Sequence, residues 1–279
     1  MNLSGDSLNN KILAYAKSIG AQDVNKIRGT VALERIVARL RKSKYLSDKI
    51  VFCGGFVLYK EGLTERYTRD IDMISEVKDH ERMIEGVKKA IESDIGDGFW
   101  FGDIQIEEIQ EDVNYGGVRF KPLFKVGTPF PESENDLRKL RRLHVDLSFQ
   151  NLLDDMREKA VFEDELGLFE KVSWEIYPIE YIVSDKLHAT IARAGFSTRS
   201  KDIYDLSKIV HKCSKEKLHS AISYTFKARG DSLEGSIRET LKSLDTTSLK
   251  SNWKKVDNFG GDESFEKCWE IVIKYFEKF

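Results

Sequence analysis

The sequence has little of what marks secreted, disulfide-stabilised or membrane-spanning proteins. Its three cysteines, Cys53, Cys213 and Cys268, lie far apart and form no C-x-x-C pair. This spacing argues against a disulfide framework and a thiolate zinc site, so we expect small buried hydrophobic residues there. No window approaches the roughly 20 consecutive apolar residues of a membrane-spanning helix. The start, MNLSGDSLNNK, lacks the basic and then apolar layout of a signal peptide. We therefore expect a cytoplasmic protein with no membrane partner.

A large excess of charge of one sign is also absent. The chain has 45 Lys and Arg against 47 Asp and Glu, a net charge of −2, so it carries no overall basic signal of nucleic-acid binding. Residues 1–175 are net acidic and residues 176–279 mildly basic. That asymmetry is compatible with metal ligands in the first part and phosphate contacts in the second.

The composition is that of a folded protein of one large or two modest domains. The 279 residues are 41% hydrophobic, 33% charged and 11% aromatic. This is too apolar for a disordered chain and too charged for a membrane protein.

Hydrophobic periodicity divides the chain into a mixed α/β part and a helical part. We predict strands over 49–53, 69–75, 104–111, 117–127 and 144–150, with a hairpin turn at Asn114-Tyr115-Gly116-Gly117 and a loop over 128–142. Helices are predicted within the first 45 residues and over 78–94, 178–195, 201–213, 214–229, 232–243 and 263–278. The predicted fold is an α/β (α+β) domain with a mixed sheet and a helical N-terminal lead-in over 1–175, then a helical bundle over 176–279.

Two carboxylates lie two residues apart in the predicted strand RDIDMIS. Side chains at i and i+2 of a strand point the same way, so Asp70 and Asp72 share one face while Ile71 and Met73 face the core. Two neighbouring carboxylates repel unless a cation lies between them, and such hard oxygen ligands favour Mg²⁺ or Mn²⁺. Taken alone, the motif is more typical of a solvated edge strand.

A glycine pair follows the predicted strand at 49–53. Gly54 and Gly55 precede FVLYK, which can begin a short helix. Such a turn lets backbone N–H groups approach a phosphate. An ordinary tight strand-to-helix turn would have the same sequence.

The order of these motifs is similar to that of the DNA polymerase beta-like nucleotidyltransferases. Strand, Gly-Gly, short helix, D-x-D and then a third acid in a later strand, Asp146 in HVDLSF, is their layout. More narrowly, the segment from Gly54 to Met73 resembles the AbiEii/AbiGii-type nucleotidyltransferase toxins. Arg66, Thr68, Asp70 and Asp72 fall on that family's R-x-[ST]-x-D-I-D pattern.

A second block, PIEYIVSDKLHATIARAGFSTRSKDIYDL, also resembles the family. It places Lys186, Arg193, Arg199, Lys201, Asp202 and Asp205 on corresponding positions. Lys186 and Arg193 are two helical turns apart and so should project from one face. Taken alone, Lys186 would be interpreted as a solvated surface lysine. We expect Asp202 and Asp205 to position Lys186, Arg193 or Arg199 through ion pairs.

The resemblance implies transfer of a nucleoside monophosphate from an NTP to an acceptor hydroxyl, RNA or tRNA being one acceptor class. It implies catalytic roles for Asp70, Asp72, Asp146 and Lys186, with the three aspartates holding two Mg²⁺ (or Mn²⁺) ions, in a cleft between the two parts. The residues implied to bind the nucleotide are Gly54, Gly55, Arg66, Thr68, Lys186, Arg193, Arg199 and Asp202. It further implies a toxin with a separately encoded antitoxin, usually without a stable complex between them.

One residue departs from the family's pattern, and other functions and residue roles stay open at this point. Phe56 follows the glycines where many relatives have a hydroxyl residue that contacts the phosphate. The acceptor could instead be a small molecule or a protein side chain, or the chain could be an inactive nucleotide-binding module. His144 suits a hydrogen-bonded support better than a metal ligand, and His188 is predicted at the surface. The basic run over 138–144 suits a solvated loop better than a nucleic-acid contact.

Overall fold

The computed structural model describes residues 5–112, 115–193, 199–233, 235–256, 263–277 and 279. By the density of its internal contacts the chain separates into two units. The first comprises Met1–Cys53 and Thr68–Ile176, and the second comprises Gly54–Tyr67 and Tyr177–Phe279. The segment Gly54–Tyr67 therefore belongs to the same unit as the C-terminal helices. The sequence had predicted a single boundary after residue 175.

The first unit is built on an eight-stranded mixed sheet. The strands are β1 (Val51–Cys53), β2 (Asp70–Ser75), β3 (Phe99–Asp112), β4 (Tyr115–Val126), β5 (Arg141–Arg142), β6 (His144–Phe149), β7 (Glu158–Phe162) and β8 (Val172–Ile176). Their order in the sheet is β3-β4-β6-β2-β1-β8-β7, with β5 pairing with β4. The pairs β2–β6 and β1–β8 are parallel and the others antiparallel. This order places β2 and β6 side by side near the middle of the sheet.

Alternating burial shows which face of the central strands meets the core. In β2, Ile71 and Met73 are buried while Asp70 and Asp72 are half-buried. The same alternation in β6 buries Val145. Because successive side chains of a strand point to opposite faces, the aspartates lie on the face that the core does not use, as predicted.

Helices of the first unit pack on the strands and on each other. α1 (Gly5–Ser18) packs on α2 (Val24–Lys42) and β4, and α4 (His80–Glu92) packs on α2, β3 and β4. Helix α2 also packs on β8 and begins after Asp23, whose side chain accepts a hydrogen bond from the Asn25 N–H and so satisfies one free donor of the first turn. A short helix, α5 (Glu134–Leu137), precedes β5.

The second unit is helical. Its helices are α3 (Gly54–Lys60), α6 (Ile179–Ala192), α7 (Ser200–Ile209), α8 (Lys215–Ala228), α9 (Ile237–Ser243), α10 (Thr247–Ser251) and α11 (Phe265–Phe276). α6 packs against α7 and α8, and α11 packs against α7 and α9. Gly54, the first residue of α3, has a φ of 73°, a left-handed backbone conformation that favours glycine.

The predicted fold class is confirmed, as a mixed sheet with helices followed by a helical region. Strands β7 and β8 and helix α10 were not predicted, and α5 and β5 lie where a loop was expected. Asn114 of the predicted hairpin turn lies outside the described residues, although β3 and β4 do pair antiparallel. Within the described residues, no helix is long and apolar enough to cross a membrane.

Candidate active site

The central strands bring three carboxylates together on one face of the sheet. In the parallel β2–β6 pair, Asp72 lies opposite Asp146, and Asp70 lies opposite His144. Neighbouring strands are about 4.8 Å apart, so Asp72 and Asp146 are adjacent. The sequence placed Asp70 and Asp72 on one face, and the pairing of β2 with β6 adds Asp146 to them.

Arg119 and His144 contact these carboxylates. Arg119 of β4 lies opposite Asp146, and its Nε and Nη2 donate to Asp146 Oδ1 and Oδ2 at 2.7 and 2.6 Å. His144 Nδ1 lies 3.1 Å from Asp70 Oδ1, a contact that matches the predicted support. The hydrogen bond to Asp146 raises the pKa of Arg119, and the charges of Asp146, Asp70 and Asp72 raise it further. Arg119 is therefore a permanent positive charge beside the three carboxylates.

The residues fit a divalent cation in part. Among the described residues, no three His, Cys, Asp or Glu side chains are grouped closely enough to hold a metal ion. The half-buried carboxylates of Asp70 and Asp72 are nevertheless the hard oxygen donors that Mg²⁺ and Mn²⁺ prefer. Both Asp146 oxygens accept a hydrogen bond from Arg119, so an ion at Asp146 would either share these oxygens with Arg119 or replace it.

A second charged group lies within the helical unit, around Lys186 of α6. Lys186 Nζ donates to Asp202 Oδ1 at 2.9 Å and to Asp205 Oδ2 at 2.7 Å, both on α7. The lysine is only 8% exposed, so the interpretation as a solvated surface lysine is wrong. Packing of α6 against α7 encloses its side chain. The expected ion pairs with Asp202 and Asp205 are present.

Two arginines complete this group. Arg66 Nε and Nη2 donate to Asp205 Oδ1 and Oδ2, each at 2.9 Å, and Arg199 Nη1 donates to Asp202 Oδ2 at 3.2 Å. We call Arg66, Lys186, Arg199, Asp202 and Asp205 the buried ion cluster. It contains three cations and two carboxylates, so it carries one positive charge in excess.

The cluster is charged at neutral pH. Burial by itself would lower the pKa of Lys186, but Asp202 and Asp205 outweigh burial and hold that pKa above its usual value. Burial would likewise raise the pKa of both aspartates, yet Lys186 and the neighbouring arginines hold them below their usual values. Each charge thus depends on its partners.

The remaining predicted residues occupy several kinds of position. Thr68 Oγ1 accepts a hydrogen bond from the Asp70 N–H at 3.3 Å, so the threonine fixes the start of β2. Gly55 and Phe56 are buried in α3, the phenylalanine being 1% exposed. Arg193 lies one residue beyond the end of α6 and so does not share a helical face with Lys186.

The sequence did not predict two side chains that pair with aspartates, Arg119 and His188. Arg119 stands between Val118 and Phe120, and this alternation could have indicated an arginine on the polar face, but nothing local shows that β4 pairs with β6. His188, predicted at the surface, is 3% exposed, and its Nε2 lies 2.6 Å from Asp231 Oδ2. Its burial follows from packing of α6 against α8, shown by the ring contact with Phe226.

Two solved structures from Helicobacter pylori have a similar fold. JHP933 is 18% identical, with a TM-score of 0.54, and the alignment covers 91% of each chain. A second protein, described as a candidate nucleotidyltransferase, is 19% identical with a TM-score of 0.55, and the alignment covers 92% of this chain and 94% of that one. Among curated proteins, none matches the chain.

A family model gives the assignment that these distant structures do not. The model describes the nucleotidyl transferase AbiEii toxins of type IV toxin–antitoxin systems, and it matches residues 35–268. The match includes the three carboxylates and the buried ion cluster. The chain belongs to the AbiEii nucleotidyl transferase toxin family.

Proposed function

We propose that this chain transfers a nucleoside monophosphate from an NTP to an acceptor hydroxyl and releases pyrophosphate. The observation that carries the proposal is the register of β2 and β6, which aligns Asp72 with Asp146 on the face that also holds Asp70. The chain's membership of a nucleotidyl transferase family supports the same class of reaction.

The carboxylates are proposed to hold Mg²⁺ or Mn²⁺. Asp70 and Asp72 would be the principal ligands, and Asp146 would join them, with the ion sharing its oxygens with Arg119 or replacing it. Two such ions, when bound, stabilise the charge on the entering and leaving oxygens of phosphoryl transfer. His144 keeps Asp70 oriented, and Thr68 keeps the start of the strand in place.

The buried ion cluster is proposed to act on the phosphates of the nucleotide. Its excess positive charge is complementary to a leaving pyrophosphate, and Lys186, Arg199 and Arg66 are its cations. Asp202 positions Lys186 and Arg199 through the bonds described above. Arg193 would add a further cation, and the backbone amides at Gly54 and Gly55 would contact the phosphates without a side-chain hydroxyl, since Phe56 is buried.

The acceptor is proposed to be RNA, with tRNA as one candidate, because the family acts as a toxin and essential RNA is a target whose modification would stop growth. A small molecule or a protein side chain is the alternative acceptor. An inactive nucleotide-binding module is the alternative from a different class, and intact Asp70, Asp72 and Asp146 count against it.

The test is a labelling experiment with the full chain. We would incubate it with each radiolabelled NTP, Mg²⁺ and total cellular RNA or protein, and ask which fraction becomes labelled. We expect label in RNA, and a loss of at least about 100-fold in Asp72→Asn, since an electrostatic group of the site is removed. Asp154→Asn changes an exposed aspartate of the same unit and should retain full activity. Nucleotide binding without labelling of either fraction would favour the inactive module.

A further inference from the structure

A cavity of about 570 Å³ lies in the first unit, between α2 and the segments 95–97 and 168–173. This volume is within the range of small-molecule sites. Among the described residues that line it, none belongs to the carboxylate group or to the buried ion cluster. The cavity is therefore a separate feature that the proposed reaction does not use.

One wall of the cavity is backed by a buried arginine whose hydrogen bonds are complete. Arg39 uses all five of its N–H donors, on the carbonyls of Ser93, Arg35 and Phe99 and on both oxygens of Asp97. Its bonds to Asp97 Oδ2 and Oδ1 measure 2.6 and 2.8 Å. Arg39 thus bonds to both oxygens of Asp97, and its charge alone balances that of the carboxylate.

Arg35 is the second arginine on the same carboxylate, and its hydrogen bonds are incomplete. Its Nε donates to Asp97 Oδ2 at 2.7 Å and its guanidinium lies 4.1 Å from the centre of the Phe169 ring. In the described part of the chain, neither Nη group has a hydrogen-bond partner, although the residue is only 5% exposed and lines the cavity. These Nη groups are the donors that the cavity offers.

The charges around Asp97 do not balance. Burial would raise the pKa of Asp97, but Arg39 and Arg35 hold it below its usual value, so the group is a carboxylate. Two buried guanidinium groups then share one negative charge. An uncompensated buried charge is costly, and an anion in the cavity would remove that cost.

The rim of the cavity adds to the positive charge. Arg41 Nε is fixed by the Ser173 carbonyl at 2.8 Å, and Lys42 is exposed with no acidic partner among the described residues. Lys171 also lines the cavity and pairs with Glu163. The cationic side chains that line this wall or lie directly behind it are Arg35, Arg39, Arg41, Lys42 and Lys171. The acidic side chains there are Asp97, Glu163 and Glu170, so the cations outnumber the acids by five to three.

We propose that this cavity binds the phosphate group of a small molecule. The planar N–H donors of a guanidinium match the oxygens of a phosphate, and they bind it most strongly where water is excluded. A dianion suits the site better than a monovalent carboxylate because Lys42 lies on the same rim as Arg35. The ligand is free phosphate or a phosphate monoester.

The test combines calorimetric titration and thermal unfolding of the full chain. Both are done with inorganic phosphate, with glycerol 3-phosphate and, at equal ionic strength, with sodium chloride. We expect heat and a rise in melting temperature with both phosphates and not with chloride. Tighter binding of glycerol 3-phosphate would identify an ester as the ligand, and equal binding would identify free phosphate. No phosphate-specific binding would overturn the proposal.

Variants locate the binding. Arg35→Lys keeps the charge but loses the planar donors and should weaken phosphate binding about tenfold. Lys42→Ala, at an exposed position where folding is not at risk, should weaken it about threefold. Lys44→Ala, at an exposed lysine that does not line the cavity, should bind as the parent does. Binding that both Arg35→Lys and Lys42→Ala leave intact would place the phosphate outside this cavity.

Discussion

The pairing of Arg119 with Asp146 decides the electrostatics of the carboxylate face. Three aspartates on adjacent strands repel one another, and the Arg119 guanidinium offsets part of that repulsion. Among the described residues, the hydrogen bonds of the Arg119 side chain go to Asp146, and the charges of Asp70 and Asp72 also raise its pKa. Arg119 and a divalent cation should therefore compete for the same negative charge.

We predict that Arg119→Gln is less stable without metal but gains more from it. Removing the charged hydrogen bonds should cost about 1–2 kcal/mol, or about 2–6 °C in melting temperature, because Asp146 loses both bonds. Mg²⁺ or Mn²⁺ should then raise the melting temperature by more in the variant than in the parent. Thermal unfolding with and without millimolar metal measures both effects.

The matched control for Arg119 is Lys121→Gln. Lys121 projects from the same face of β4 but pairs with Glu107 at an exposed position. Its loss should leave both the melting temperature and the gain from metal within about 1–2 °C of the parent values. If Arg119→Gln and the parent gained equally from metal, the proposed competition would be refuted.

Asp70→Asn and Asp72→Asn give a second prediction at this scale. Each removes one charge from the pair that repels without a cation, so each should abolish the stabilisation by Mg²⁺. Asp154→Asn should keep it. A gain in melting temperature that is the same in the parent and both variants would place the ion elsewhere.

Local alternation predicted the aspartates but not their partners. Polar and apolar residues alternate along β2, so the sequence alone predicts that Asp70 and Asp72 share one face. The contacts of Arg119 with Asp146 and of Arg66 with Asp205 join residues far apart in the chain. They depend on which strands pair and which helices pack, and no local pattern encodes that.

At the scale of elements, the buried ion cluster links α6, α7 and the segment that precedes β2. We predict that Asp205→Asn costs about 3 kcal/mol or more, because it leaves Lys186 and Arg66 buried with one carboxylate fewer. Urea unfolding at pH 7 measures the loss. Glu239→Gln, an exposed change in the same unit, should cost less than about 0.5 kcal/mol.

The same cluster predicts a pH dependence of stability. The folded pKa values of Asp202 and Asp205 lie below the unfolded value of about 3.9, so their contribution is complete above about pH 4 and is lost as pH falls through the depressed values. Lys186 has a raised pKa, so its contribution is lost only above about pH 10. Between pH 5 and pH 2, the free energy of unfolding should fall less steeply in Asp202→Asn than in the parent.

Two strands of the first unit escaped prediction for different reasons. β7, EKAVF, has exposed residues at most positions, so it shows no apolar face. β8, VSWEI, does alternate, and Trp174 and Ile176 are buried. Its five residues are too short to stand out before the helix at Ile179, which shows that brief strands of a sheet are found by pairing more readily than by pattern.

At the scale of the whole molecule, a toxin that modifies its target differs from one that only binds. An enzyme turning over at about 1–10³ per second can modify many acceptors, whereas a binding module must match its target in number. Toxicity at low expression therefore distinguishes the proposed transferase from the inactive module.

We predict that low expression of this chain arrests bacterial growth and that Asp72→Asn at the same level does not. Because the type IV family pairs its toxin with an antitoxin, the product of a neighbouring reading frame should restore growth when it is co-expressed. We further expect the two proteins not to co-purify, since an antitoxin that opposes the reaction or its product needs no complex with the enzyme. Colony counts over a range of inducer, with western blots to equalise expression, provide the measurement. Equal toxicity of the parent and Asp72→Asn would show that growth arrest does not depend on the carboxylates, and a stoichiometric complex with the antitoxin would instead indicate inhibition by direct binding.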